Sequence, residues 1–234
     1  MQIDLKVGRL GTERDATLII GLFEGAKLDN NDSSGMALPL RRYLQEFLSL
    51  GDFKGQDEEI SVLYPRGTAP PRRVILVGLG KPSSFNLDKA RRASGVAIRR
   101  VLQLGVSKIT TSIHSPGPEG QDVHPDYAQA TVEGLLLGAY KYDTYKTEVP
   151  HGSELESVTM VVLRRAQANK IKAGIEVGQI TAAGTIMARD LSNAPGNDLP
   201  PRKLAAAARI MASKNGLHCR VLTRKDIELS LIHI

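Results

Sequence analysis

Apolar and polar positions change their spacing along this chain, and the changes separate strands from helices. Over 2–7 (QIDLKV), Ile3, Leu5 and Val7 alternate with polar residues, the period of a strand with one covered face. Residues 16–23 (ATLIIGLF) form a denser apolar run, as in a strand covered on both faces. The polar stretch LDNNDSSG that follows reads as a loop. Over 38–50, Leu40, Tyr43, Leu44, Phe47 and Leu48 recur at helical spacing, and Gly51 marks the stop. Strands are expected at 59–64 and 73–79, joined by the turn PRGTAPP. A helix at 87–104 closes on Gly105, a short strand covers 108–113, and a helix over 125–139 opens on proline. A strand at 157–163 and a long helix at 172–192 follow. Beyond them come a helix at 202–215 ended by Gly216, a strand at 217–222 and the start of a helix at 224–228.

This alternation predicts an α/β fold, a mixed sheet with helices on both faces that is partly antiparallel near 60–79. The 234 residues are enough for one large domain or two modest ones. Composition adds exclusions. Aromatics are 4% of the chain and Trp is absent, which argues against a stacking platform for single-stranded nucleic acid. The formal charge of +6 comes in arginine pairs, Arg41-Arg42, Arg72-Arg73, Arg91-Arg92, Arg99-Arg100 and Arg164-Arg165. Solvated helix faces and strand ends are the first reading of such pairs; a patch for acidic partners or nucleic acid is the second. One cysteine, Cys219, permits no internal disulfide and argues against a zinc-thiolate site. The first residues lack the apolar core of a signal peptide, and no apolar run approaches the ~20 residues of a membrane span. A reducing cytoplasm is the expected setting.

Spacing alone yields no active site. Gly78-Leu79-Gly80-Lys81 lies between a strand and a helix, where a phosphate loop would sit. Ser83 stands where a dinucleotide fingerprint needs a third glycine, and Ile75 where a P-loop needs one. A plain glycine turn is the first reading, a looser anion-binding turn the second. His114, His124, His151, His218 and His233 show no ligand spacing. Asp57-Glu58-Glu59 reads as a solvated run; Glu133 and Glu176 lie on expected helices, in salt bridges or on a solvated face. No catalytic and no metal-binding residue is assigned.

Two stretches carry more. Residues 133–146 read EGLLLGAYKYDTYK, and residues 188–201 read ARDLSNAPGNDLPP. In this order they resemble two motifs of the leucyl aminopeptidase (cytosol aminopeptidase) family. Glu133, Gly134, Leu137, Gly138, Tyr140, Tyr142, Tyr145 and Lys146 match the first. Ala188, Arg189, Asp190, Leu191, Asn193, Pro195, Asn197 and Pro201 match the second. RVILVGLGK at 73–81 and GLHCRVLTRKDIE at 216–228 are also similar to that family. At the second motif, Pro195 stops the long helix, Asn193 and Asn197 cap or bridge turns, and Pro201 suits the next helix's first turn. The family's usual Ser or Thr cap is Pro200 here, so either Asp198 caps the helix or its start is weaker by about 1 kcal/mol.

The resemblance implies a macro-domain-like N-terminal domain over 1–170, a linker helix over 171–193 and, from 194 to 234, the start of an incomplete second α/β domain. It implies peptide substrates, release of N-terminal amino acids, and two divalent ions (manganese, zinc or magnesium) in the full-length enzyme. It also implies hexamers and, in some bacterial relatives, DNA binding, which the arginine pairs permit without arguing. The family's metal ligands lie in a G-K-G-x-x-F-D-x-G-G and an N-T-D-A-E-G-R-L stretch. Neither is present, and Lys225 and Asp226 stand in no such context. This chain alone is therefore expected to bind no metal and to be inactive. A lone strand and helix after Asn193 must either dock on the first domain or begin a second one, and the turn-rich joint favours the second. The closing LSLIHI departs from the family pattern and is expected to be foreign from about residue 229. The alternatives are a stand-alone nucleotide- or ADP-ribose-binding module and a structural or DNA-binding subunit.

Overall fold

A computed structural model of the chain describes residues 1–12, 17–28, 35–66, 71–114, 124–147 and 155–231. Residues 29–34 and 67–70, which hold most of the two expected loops, and the final residues 232–234 lie outside that set. The described chain divides into two compact units, Met1–Ile186 and Met187–Ile234.

The first unit is built on six strands: β1 (Gln2–Val7), β2 (Thr17–Leu22), β3 (Ile60–Leu63), β4 (Arg73–Gly78), β5 (Lys108–Thr111) and β6 (Ser157–Val162). Their order in the sheet is β1-β6-β5-β2-β4-β3. All neighbours are parallel except β3 and β4, which pair Ile60 with Val77 and Leu63 with Val74 in antiparallel register. The outermost parallel pair joins the unit's first and last described strands, Gln2 facing Ser157 and Val7 facing Val162.

The apolar run of β2 is covered on both faces because its side chains serve two cores. Ile19, Ile75, Val77, Ile109, Val158, Met160 and Val162 point to one side, against α2 (Leu87–Gln103), α3 (Pro125–Gly138) and α4 (Arg165–Asn193). Leu18, Ile20, Leu22, Val74, Leu76 and Val161 point to the other, against α1 (Leu38–Ser49). Helix α2 begins where the Asn86 side chain accepts the Lys89 amide at 3.0 Å, with Asp88 in its first turn.

Helix α4 starts at Arg165, seven residues earlier than its pattern indicates, and carries five buried residues on one stripe: Ile171, Gly174, Ile175, Gly178 and Ala182. Arg41 departs from the solvated reading of the arginine pairs. It is 2% exposed, and its Nη2 donates to the Met36 carbonyl at 3.2 Å.

The second unit holds the last turns of α4, then α5 (Pro201–Lys214) and α6 (Arg224–Leu231). Residues 217–222 form no strand, contrary to their alternating pattern. A strand exists only where a neighbour takes up its peptide groups, and no described strand lies in this unit to pair with it. Helix α6 begins with a reciprocal cap: the Thr223 amide and hydroxyl donate to Asp226 Oδ2 at 2.7 and 2.6 Å.

Candidate functional site

The motif beginning at Glu133 lies on the inner side of α3. Its residues bring three helices together through one carboxylate. Glu133 Oε2 accepts from Arg91 Nε of α2 at 2.8 Å and pairs with Arg91 Nη2 at 2.6 Å. Glu133 Oε1 accepts from Gln129 Nε2, one turn earlier, at 2.8 Å and from Thr181 Oγ1 of α4 at 2.7 Å. Burial pushes the carboxyl pKa up, but the hydrogen bonds from Thr181, Gln129 and Arg91 and the Arg91 charge outweigh it, and the net shift is downward. Glu133 is thus a charged structural centre with its acceptor sites engaged by donors from α2, α3 and α4.

The motif's glycines explain how the helices come so close. A Cβ on Gly134 would collide with the Arg91 carbonyl, and one on Gly138 would stand 2.8 Å from the Gly95 Cα. On α4, a Cβ on Gly178 would meet the Gln129 carbonyl at 2.9 Å. Small residues at these crossings let backbones touch and carry Arg91 and Thr181 within reach of one carboxylate. The rest of the motif leaves the helix, since α3 ends at Gly138. Tyr140 is half-buried just beyond, the Tyr142 and Tyr145 rings lie 6.1 Å apart, and Lys146 pairs with Asp143.

The second motif belongs to the other unit. Arg189, Asp190 and Asn193 sit on the last turns of α4, where the Ala194 amide still donates to the Asp190 carbonyl at 3.1 Å. Pro195 ends the helical ladder, and its carbonyl accepts the Asp198 and Leu199 amides at 2.8 and 2.9 Å. Asn197 is exposed inside that turn. Pro200 is the residue before α5, Pro201 opens the helix, and no side chain caps it. Asp198 does not take the capping role.

The glycine turn after β4 is filled by the chain itself. The Gly80 amide donates to the Gly55 carbonyl at 2.9 Å, and any Cβ on Gly80 would strike the Asp57 carboxylate. Lys89 Nζ donates to Asp57 Oδ2 at 2.8 Å and to Ser84 Oγ at 2.9 Å. The Glu59 carboxylate accepts the Lys54 and Gln56 amides and shapes the covering loop. A carboxylate from residues 55–59 thus stands where an incoming anion would have to bind.

His114, just after β5, is 1% exposed, and neither ring nitrogen reaches a hydrogen bond of normal geometry among the described residues. Burial lowers its pKa to about 4, with a Val161 backbone group opposing part of the shift. His124 Nδ1 faces Asp126 at 3.1 Å on the surface. Among the described residues no group of three His, Cys, Asp or Glu lies close enough together to hold a metal ion. Of the Glu133 partners, only Gln129 stands at a spacing the sequence reveals, one helical turn away. Arg91 and Thr181 come from helices 42 and 48 positions off. The burial of His114 leaves no sequence signal.

Comparison with known proteins places this arrangement. Residues 19–149 match the profile of the cytosol aminopeptidase family, N-terminal domain. The chain is 32% identical over 216 residues to a probable cytosol aminopeptidase of Alkaliphilus oremlandii, covering 90% of this chain and 42% of that one. A tomato leucine aminopeptidase structure superposes with a TM-score of 0.71 at 24% identity, over 92% of this chain and 42% of that one. The bottromycin maturation enzyme BotP in complex with Mn superposes at 0.64 and 22% identity, over 86% of this chain and 36% of that one. The six-stranded mixed sheet with flanking helices is the fold shared with the tomato enzyme's N-terminal domain. The chain spans about two fifths of the length of the curated relatives it matches.

Proposed function

This chain belongs to the cytosol aminopeptidase family, matching its N-terminal domain, and on that premise we propose that it is the non-catalytic N-terminal part of a metal-dependent leucyl aminopeptidase. The observation that carries the reading is the pairing of a family match over 19–149 with a described structure whose charged groups hold helices together. The whole enzyme would release N-terminal residues from peptides in the cytoplasm, with divalent ions polarising the scissile carbonyl and activating water. The described residues do not fit such ions: they offer no cluster of ligands, and the Glu133 carboxylate is engaged by three donor side chains. No catalytic step is therefore assigned to this chain. Residues 1–170 would serve assembly of a homo-oligomer, 171–193 would be the linker helix, and 194–234 would begin the catalytic domain. The relatives' names support the cytosolic setting, and no described helix is long and apolar enough to cross a membrane.

The direct test is to mix the purified chain with leucine p-nitroanilide and manganese. The expected result is no release of nitroaniline above background, and turnover by this chain alone overturns the assignment. The reading as a stand-alone nucleotide-binding module has less support, because Asp57 and Gln56 already cover the glycine turn that would receive the phosphates.

A further inference from the structure

Strand β3 ends the sheet, and among the described residues nothing pairs with its outer edge. The Gly78 amide donates to the Glu59 carbonyl at 2.8 Å. By the alternation of an antiparallel ladder, Ser61 and Leu63 then turn their peptide groups toward β4, and Ile60 and Val62 turn theirs outward. The Ile60 and Val62 side chains are only half-buried on the α2 side of the sheet. Beside them lies an open groove of about 500 Å³, walled by Val96, Arg99, Arg100 and Gln103 of α2. Arg100 donates to Gln103 Oε1 at 3.1 Å, and among the described residues no carboxylate pairs with Arg99 or Arg100. Free backbone groups, an apolar floor and two uncompensated guanidinium groups therefore share one edge.

We propose that this edge and groove dock an extended acidic peptide segment of another protein, which pairs with the outward peptide groups of Ile60 and Val62 and sets carboxylates against Arg99 and Arg100. Strand addition supplies the backbone hydrogen bonds, and alternate side chains of the incoming segment reach the groove. Charge selects the occupant. Two copies of this chain pairing β3 with β3 about a two-fold axis would set Arg99 and Arg100 of both α2 helices along one shared groove, and like charges there are costly. Nucleic acid is disfavoured by number and chemistry. Two guanidinium groups fall short of the roughly 6–10 phosphate contacts of a strong electrostatic binder, and the floor of Ile60, Val62 and Val96 has nothing for a phosphate. A carboxylate takes a bidentate guanidinium contact, and an aliphatic neighbour in the same strand fits that floor. The proposal is independent of the aminopeptidase reading.

The test uses the full chain and a fluorescein-labelled decapeptide of alternating Val and Glu, followed by fluorescence anisotropy. A Val–Lys decapeptide and a thymidine oligonucleotide serve as counter-probes. The expected result is micromolar binding of the acidic peptide, none of the basic one, and weakening by about tenfold or more when Arg99→Glu and Arg100→Glu are combined. Val62→Pro should also weaken binding, because it deletes an outward donor without touching the β4 ladder. Equal thermal melts establish that the variants are folded. Arg99→Gln with Arg100→Gln, which preserves β3, decides the matter if Val62→Pro melts early. Absence of acidic-peptide binding, unchanged affinity in the arginine variants, or tighter binding of the oligonucleotide overturns the proposal. So does self-association of the wild-type chain in sedimentation that Val62→Pro abolishes, since that would make a second copy the occupant.

Discussion

His114 and Glu133 are both buried and both ionisable, and their surroundings treat the charge in opposite ways. Around His114 the Val161 backbone group only partly offsets the cost of burying a proton, so the folded protein holds the ring neutral down to about pH 4. The unfolded chain takes that proton near pH 6.5 and so binds more protons than the native state between the two values. Stability from this group is intact above pH 6.5 and falls as pH drops toward 4, by about 3 kcal/mol in all. Urea titrations from pH 7 to pH 4.5 should show that slope, and His114→Phe should flatten it; an unchanged slope contradicts the account. Glu133 also has a lowered pKa, from partners that favour its charge. Its contribution is present above the ordinary carboxylate range and is lost only as pH falls through the lowered value. Removing it takes away the acceptor shared by Arg91, Gln129 and Thr181, while Thr181 keeps the Val177 and Gly178 carbonyls and Arg91 keeps Asp88, so Glu133→Ala should cost about 2 kcal/mol. That corresponds to a melting temperature lower by roughly 4–8 °C in a chain of this size, measured by circular dichroism.

Helix crossings are decided by whether a methyl group has room. Gly134→Ala should destabilise by about 1–3 kcal/mol, because its Cβ would run into the Arg91 carbonyl and the backbone of α2 must move. Gly184 sits on the exposed side of α4, and a Cβ there meets nothing within 4 Å. Gly184→Ala should raise stability by up to about 1 kcal/mol through helix propensity alone. Thermal melts of the pair test the account through opposite signs for one chemical change. Element types were mostly legible in the sequence, because β2 and β4 are short dense apolar runs and α2 sets its helical period between Asn86 and Gly105. The strand read at 217–222 was not, because alternation reports a face to be covered and cannot supply the neighbour that covers it. The two motifs were readable as a family signature, whereas their physical work was not. Gly134 meets Arg91, and Glu133 meets Thr181, only once three helices far apart in sequence have packed. Arg41 misled for the same reason, since its neighbour Arg42 is exposed and the two look alike in the chain.

At the scale of the molecule, the two units differ in what covers their apolar residues. The first has cores on both faces of its sheet. In the second, Leu204, Ile210, Leu217, Leu222, Ile227 and Leu229 are between 45% and 62% exposed, and Ala212 is the one buried apolar residue among those described. The relatives are more than twice as long as this chain, and under the proposed function their further residues would cover these side chains. In this chain alone, limited proteolysis should cut first near residues 193–199, releasing a resistant product that begins at Met1; full resistance there would count against the proposal. A different consequence follows from the pairing of Gln2 with Ser157 at the margin of the sheet. During synthesis at about 5–20 residues per second, β1 leaves the ribosome roughly 8–30 s before β6 exists to receive it. For that interval β1 lacks the strand that pairs with it among the described residues. Its alternation of Ile3 and Leu5 with Asp4 and Lys6 keeps it soluble while it waits, a demand set by time and not by the finished structure.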